Sequence, residues 1–298
     1  MTTKLISKRH IEIAVVMTCH NRRAGTVECI RSVYNAQVSC KQEIHVDIYL
    51  TDDGSSDGTG AEISHLFPEV ILTRGDGSLY WAGGMIKSWK EACRKPYDGY
   101  LLLNDDTVLL QQAFDEILRT DSHCKRMNHS GGVYVGGVKD PDTNEDTYGG
   151  SILRNRFLFT SEILKPNGEV QECHLGNGNV MFVSNAVVEG IGIFSRRYKH
   201  GIADYDYTLR ARRAGFAVLL CADHCGVCKR DHFPDDYTKS TLKQRIGMVN
   251  RPRGMETGPY LYFMYRFFPY RLPLVLMGTL TRILAPKGMN WFNKSVKR

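Results

Sequence analysis

A chain of 298 residues can bury a substantial core, either as one large α/β domain or as a domain with an appendage. Its 42% hydrophobic and 24% charged content are ordinary for a soluble globular protein, and a net charge of +7 admits anionic substrates, anionic lipid surfaces or nucleic acid. Met1 to His10 lacks the apolar core of a signal peptide, and no apolar run approaches the ~20 residues that span a bilayer. The longest, Leu272 to Leu280, is broken by Pro273 and Gly278. Nine cysteines without framework spacing fit a reduced cytoplasmic location better than secretion.

In chain order, Ile11 to Thr18 reads as a buried first strand, Cys19-His20-Asn21-Arg22-Arg23 as a loop, and Thr26 to Ala36 as an amphipathic helix. Val46 to Thr51 forms a second strand that delivers Asp52 and Asp53 to its carboxyl end, and Asp57 can cap the helix leading to Phe67. A third strand, Val70 to Thr73, runs into a glycine-rich loop and then a helix from Met85 to Arg94. The fourth strand, Tyr100 to Leu103, stops at Asn104-Asp105-Asp106. This alternation implies right-handed βαβ crossovers and a mostly parallel sheet.

Beyond Val108 the regularity fades. Gln111 to Lys125 looks helical, and Gly131 to Leu153 suggests strands at the edge of the sheet. Leu175 to Val183 reads as a glycine-rich loop feeding a strand. Asp204 to Ala214 is a helix with an acidic start and a basic end, closed by Gly215. Val218 to Cys221 is a strand followed by a turn. The chain divides into residues 1–235, with a C-terminal helical segment over 236–298 that is rich in aromatic and basic residues.

Two strands that end in carboxylates point to one polar site, because ligands bind at the carboxyl ends of strands in open α/β sheets. Neighbouring carboxylates repel unless a cation lies between them, so hydroxyl-rich groups and a hard divalent ion suit such a site. Each acidic end also has a purely structural reading: Asp52-Asp53-Gly54-Ser55 as a polar turn, and Asp106 or Thr107 as a helix cap.

Five segments resemble, in order, the family 2 glycosyltransferases of GT-A fold, particularly bacterial cell-surface polysaccharide transferases of the rhamnosyltransferase type. They are Val16 to Arg22, Asp52 to Thr59, Gly75 to Trp81, Leu103 to Thr107 and Gly201 to Arg210, within a span from about Ile13 to about His232. The resemblance implies a nucleotide-diphosphate sugar donor of uridine or deoxythymidine, a glycan acceptor that can be lipid-linked, inversion at the anomeric carbon, and no nucleic acid partner.

By the same resemblance, Thr18, Asn21, Asp52, Asp53 and Asp105 would meet the nucleotide. Asp106 would coordinate Mg²⁺ or Mn²⁺, since Asn104 replaces the first carboxylate of the family's metal motif. Asp204 would be the general base, although Ala203 stands where the family usually has Glu. Asp206 would support it, four residues from Arg210 at the spacing of a helical ion pair. Trp81, His200 and Asp206 would border the sugar and acceptor, with ordinary core packing the alternative for Trp81 and Tyr80. The third metal ligand stays open between Cys228 and His232.

Two rival functions remain. Cys221, Cys225 and Cys228 have the spacing of an iron–sulfur motif and could form a zinc site with His224 or His232, although thiols in a packed strand are commoner. Ala203 also allows a non-catalytic nucleotide-sugar-binding subunit. The aromatic and basic run Pro259 to Arg271 is expected to dock on an anionic membrane surface, on the domain or on a subunit; the first of these would give a cytoplasmic protein a peripheral place on the inner face of the membrane.

Overall fold

The structure is a computed structural model and describes residues 10–127, 129–230, 237–251 and 256–286. The first half alternates as expected: β1 (Ile11–Cys19), α1 (Arg23–Ser39), β2 (Ile44–Asp52), α2 (Thr59–Leu66), β3 (Ile71–Arg74), α3 (Tyr80–Ala92), β4 (Gly99–Leu103). It continues with β5 (Val108–Leu109), α4 (Ala113–Arg126), β6 (Gly132–Lys139), β7 (Asp146–Tyr148), β8 (Gly150–Asn155), β9 (Thr160–Ile163), β10 (Gln171–Glu172), β11 (Leu175–Gly176) and β12 (Val180–Ser184). The last elements are α5 (Asn185–Ile191), α6 (Ala203–Arg213), β13 (Ala217–Val227), α7 (Leu242–Met248), α8 (Thr257–Phe267), a 3-10 turn at Pro269–Arg271 and α9 (Leu272–Leu284).

The main sheet runs β10-β13-β6-β12-β4-β1-β2-β3, with β5 and β7 added at its margins. Strands β1 to β4 are parallel, so Cys19, Asp52, Arg74 and Leu103 end on one side of the sheet. β12 is antiparallel to β4 and pairs Val180 with Leu103, which brings the loop before β12 to that same side. Both faces of β1 are buried. Ile13, Val15 and Met17 pack in a cluster with α1, α2 and α4, while Ala14 and Val16 pack in a second cluster with α3, α5 and α6. A strand covered on both faces needs a continuous apolar run, and Ile13 to Met17 supplies one.

Three expectations change. Gly131 to Leu153 lies only partly at the sheet edge: β6 runs in the interior between β12 and β13, while β7 is marginal and β8 joins β9 and β11 in a separate three-stranded sheet. The small residues of β6 permit its interior place: a Cβ on Gly136 would crowd both Cys225 and Val180. No turn follows Cys221. β13 continues to Val227 through register shifts near His224 and Gly226. Asp106 and Thr107 cap no helix, since β5 intervenes and α4 begins only at Ala113.

The C-terminal helices are packed rather than loose. Phe263, Met264, Phe267 and Phe268 are buried in the same cluster as Trp89 and Tyr207. α9 is different, with Leu276, Met277, Leu280 and Leu284 exposed on it. Among the described residues, no helix is long and apolar enough to cross a membrane.

Candidate active site

The carboxyl ends of β1 and β2 are tied together by their own side chains. Asn21, in a left-handed conformation (φ 52°), donates its backbone N–H to Ser55 Oγ and accepts from Ser56 N–H at 2.8 Å. Asp57 accepts from the backbone of Arg23 and of Thr59, joining the starts of α1 and α2. The N-cap of α2 is Gly58 rather than the predicted Asp57, which instead accepts the Thr59 N–H while also bonding the start of α1.

Asp52 and Asp53 are both buried. Asp52 Oδ1 accepts from Ser55 N–H at 2.9 Å. Asp53 accepts three backbone N–H groups, from Gly77, Leu79 and Tyr80, at 2.9 to 3.0 Å. Carboxylates favour the positive end of a helix, and Asp53 holds the first turn of α3 in place. The polar-turn reading thus describes how this pair sits. Thr18 lies beneath α3, donating its hydroxyl to the Thr51 carbonyl, and a Cβ on Gly84 would collide with it.

At the end of β4 the charges are less well compensated. Asp105 is buried, and that burial pushes its carboxyl up to about 7, against the opposing pull of Arg22 and with the added repulsion of Asp106. Arg22 pairs with Asp106 and lies 3.8 Å from Asp105. One buried oxygen of each, Asp105 Oδ2 and Asp106 Oδ1, accepts no hydrogen bond. Two adjacent carboxylates with unsatisfied buried oxygens suit a divalent cation, so the residues present fit Mg²⁺ or Mn²⁺. Sequence reasoning did not single out Arg22. Its signal was the arginine pair Arg22-Arg23 in the loop after the first strand, facing two acidic strand ends.

Trp81 joins this end of the site to α6. Its indole N–H donates to Asn104 Oδ1 at 2.7 Å. A Cβ on Gly178 would come within 2.6 Å of the Trp81 ring, so only glycine allows the loop before β12 to approach so closely. Gly178 N–H in turn donates to Asp204 Oδ2 at 3.1 Å. The chain of contacts Asn104–Trp81–Gly178–Asp204 joins four sequence segments. The glycine-rich loop was legible as a loop, but its part in the site was not.

Asp204 is buried in the first turn of α6, and burial raises its carboxyl to about 6 despite hydrogen bonds from Gly178 and Tyr205. The residue two before it, Ile202, is held at φ 71°, a strained conformation for a β-branched side chain. Such strain persists only where the surroundings impose it. Asp206 is fully buried; it accepts from Tyr198 at 3.0 Å, Arg210 at 2.8 Å and Arg266 at 3.3 Å. The ion pair with Arg210 is thus present. A side chain with no exposed surface and three donors is scaffold, which takes Asp206 out of the sugar and acceptor contacts expected of it. Half-buried His200 lies just before α6, beside Lys199, whose carbonyl accepts from Ala82 N–H at 2.9 Å. Tyr80 and Trp81 form the first turn of α3, and Trp81 packs on Phe194 with ring centroids 5.5 Å apart.

The cysteine rival finds no support in this geometry. Cys221, Cys225 and Cys228 are buried along β13, and the Cys225 thiol is pushed well up by a hydrogen bond with Cys221 and by burial, opposite to what a metal ligand needs. His224 is engaged by Asp146 at 2.7 Å, and His232 lies outside the described residues. No group of three or more His, Cys, Asp or Glu is placed to hold a metal among the described residues. Asp105 and Asp106 make a pair, in keeping with a cation held by few protein ligands and by substrate phosphates.

Comparison with solved structures finds the same fold in proteins of low identity. Residues 1–349 of TarS from S. aureus, in complex with UDP-GlcNAc, superpose with a TM-score of 0.54 at 12% identity, covering 92% of this chain and 82% of that one. The mannosyltransferase PcManGT from Pyrobaculum calidifontis, in complex with GDP-Man and Mn²⁺, gives a TM-score of 0.54 at 14% identity, covering 93% of this chain and 71% of that one. Comparison with curated protein sequences finds no match. The family described as Glycosyl transferase family 2 matches residues 14–177, more than half of the sequence. On that match, and with a GT-A fold to carry it, the chain belongs to glycosyl transferase family 2 and is a glycosyltransferase.

Proposed function

We propose that the protein transfers a sugar, with inversion, from a nucleoside diphosphate donor to a hydroxyl of a growing cell-surface glycan. The observation that carries this reading is the contact chain from Asn104 through Trp81 and Gly178 to Asp204. It links Asp204, a buried carboxylate of raised pKa, to the strand end that carries Asp105 and Asp106. One base and no protein nucleophile is the requirement of a single in-line displacement.

In this mechanism Asp204 accepts the proton of the acceptor hydroxyl as its oxygen attacks the anomeric carbon. A carboxyl near 6 is ionised at neutral pH yet basic enough to accept that proton. Asp105 and Asp106 would hold Mg²⁺ or Mn²⁺, which when bound neutralises charge growing on the departing diphosphate. Arg22 reaches both carboxylates and can supply positive charge to the same phosphates. Trp81 closes the wall beside the anomeric centre. Asp52, Asp53, Thr18 and Asn21 shape the nucleotide end through the loops they fix, with uridine or deoxythymidine the donor bases.

We place the enzyme on the inner face of the membrane. From Tyr237 to Arg298 the only acid is Glu256 among many Lys and Arg, and α9 exposes Leu276, Met277, Leu280 and Leu284 in this same segment. The direct test of the activity is donor turnover with uridine and deoxythymidine diphosphate sugars, with and without Mn²⁺, comparing Asp204→Asn with the unaltered protein. Donor binding without turnover by the unaltered protein, with every acceptor class tried, would favour the non-catalytic binding subunit.

A further inference from the structure

A concave feature adjoins the segments that carry Trp81 and Asp204. A groove of about 500 Å³ follows the outer face of α3, where Lys87, Lys90 and Arg94 meet Arg196 and Lys199 of the segment before α6. Spacings of three, four and seven residues put the α3 cations on one helix face. Ile86 and Tyr198 contribute to the wall, and Glu91 is the single acid. Lys87 donates to the Arg74 carbonyl, and Arg94 pairs with Glu91 at 2.8 Å. Lys90, Arg196 and Lys199 have no ion-pair partner among the described residues. Cations gathered around a concavity without counter-charge focus a positive potential there.

The groove shares its framework with the candidate base. Lys199 accepts the N–H of Ala82, the residue after Trp81, and Tyr198 donates its hydroxyl to Asp206 on α6. Lys199 is followed directly by His200, and Asp204 stands five residues on, in the first turn of α6. An acceptor whose hydroxyl meets Asp204 therefore has this basic wall within the span of its neighbouring residues. A neutral glycan would gain nothing from three uncompensated cations.

We infer that the groove binds an anionic group, phosphate or carboxylate, carried by the acceptor, so that the acceptor is an acidic glycan. This rests on the transferase reading above. The test is calorimetric titration of the full chain in EDTA with inorganic pyrophosphate and with an oligogalacturonide, which represent the phosphate and carboxylate sources, and with maltohexaose as the neutral control. At least one anion should bind and maltohexaose should not. The triple variant Lys90→Glu, Arg196→Glu, Lys199→Glu alters exposed side chains only and should weaken anion binding about tenfold or more. Lys243→Glu with Arg251→Glu, in the basic C-terminal segment, should leave it unchanged. Unaltered binding by the triple variant, loss in the C-terminal variant, or equal binding of maltohexaose overturns the inference. So does displacement of pyrophosphate by a nucleoside diphosphate loaded with Mn²⁺, which would make the groove part of the donor site. Nucleotide titration of the same triple variant separates the two readings. Retained nucleotide affinity with lost anion affinity is the expected result. Failure of the unaltered protein to bind any nucleoside diphosphate sinks the transferase reading itself, whatever the anions do.

Discussion

The indole N–H of Trp81 donates to the side-chain oxygen of Asn104 at 2.7 Å, fixing α3 against the end of β4. An amide oxygen is sufficient acceptor for that bond, and it spares the site a third carboxylate beside Asp105, whose carboxyl already stands near 7. Asn104→Asp should keep the Trp81 contact and add a ligand charge. Mn²⁺ affinity, read by electron paramagnetic resonance, should tighten about tenfold, as ligand charge count sets the affinity of oxygen sites. An unchanged affinity would place the cation away from the end of β4.

Asp106→Ala removes one of two carboxylates and leaves Arg22 facing Asp105 alone. Nucleotide binding should lose its dependence on divalent metal, and turnover should fall with it, since the same interaction stabilises the leaving group. Nucleotide titrations with and without Mn²⁺ read both effects. A wild-type metal response in this variant would rule out Asp106 as a ligand.

Asp206→Asn is expected to act on folding rather than chemistry. The side chain is fully buried between Tyr198, Arg210 and Arg266, and removing one partner of a buried ion pair costs about 3–5 kcal/mol. Denaturant unfolding should show that loss, while turnover per folded molecule changes little. Full stability with abolished turnover would instead make Asp206 the base and reverse the roles on α6.

The strand ends were legible because an apolar run that stops at carboxylates can be read one segment at a time. Asp204 was legible as the acidic start of a helix. The bond from Gly178 to Asp204 and the Trp81 contact were not, because they join segments whose nearness depends on β12 entering antiparallel beside β4. A strand buried on both faces has the same apolar pattern in either direction, so the sequence of β6 and β12 left their places open. In the C-terminal run, Phe263, Met264 and Phe267 recur at the spacing of one buried helix face, whereas aromatic content alone suits lipid as well as core.

Asp204→Asn should lower transfer by about two to four orders of magnitude, the usual contribution of a general base, with nucleotide affinity unchanged. For the unaltered enzyme, kcat/KM should rise with pH until the carboxyl ionises near 6 and then level off; the variant should lack that limb. Stability runs the other way. Because burial raises the folded-state value, the contribution of Asp204 to stability is present below the ordinary carboxylate range and is lost as pH rises through about 6. The variant escapes that loss, so it should be more stable than the unaltered protein at pH near 7.5 by about 1–3 kcal/mol, at roughly 1.4 kcal/mol per unit. Thermal unfolding at both ends of the range measures this. Equal pH profiles for the two proteins would exclude Asp204 as the base.

Removing everything after Arg251 is expected to unfold the domain rather than merely release it from membranes. Phe263, Met264, Phe267 and Phe268 would all leave the core, and each such side chain contributes about 1.5–3 kcal/mol when buried. A whole domain is stable by only about 5–15 kcal/mol, so the loss is comparable to the total. Membrane contact is better tested on α9, where Leu276 and Leu280 are exposed and their replacement leaves the core intact. Leu276→Glu with Leu280→Glu should keep the unfolding transition of the parent and abolish cosedimentation with phosphatidylglycerol vesicles. Cosedimentation of the unaltered protein should itself weaken as salt rises, because the basic residues around α9 attract the surface through screened charge. Sedimentation of the double variant at the parental level would assign the vesicle contact elsewhere. A parent that is dimeric and a double variant that is monomeric, with no vesicle binding by either, would show that α9 meets a second copy of the chain.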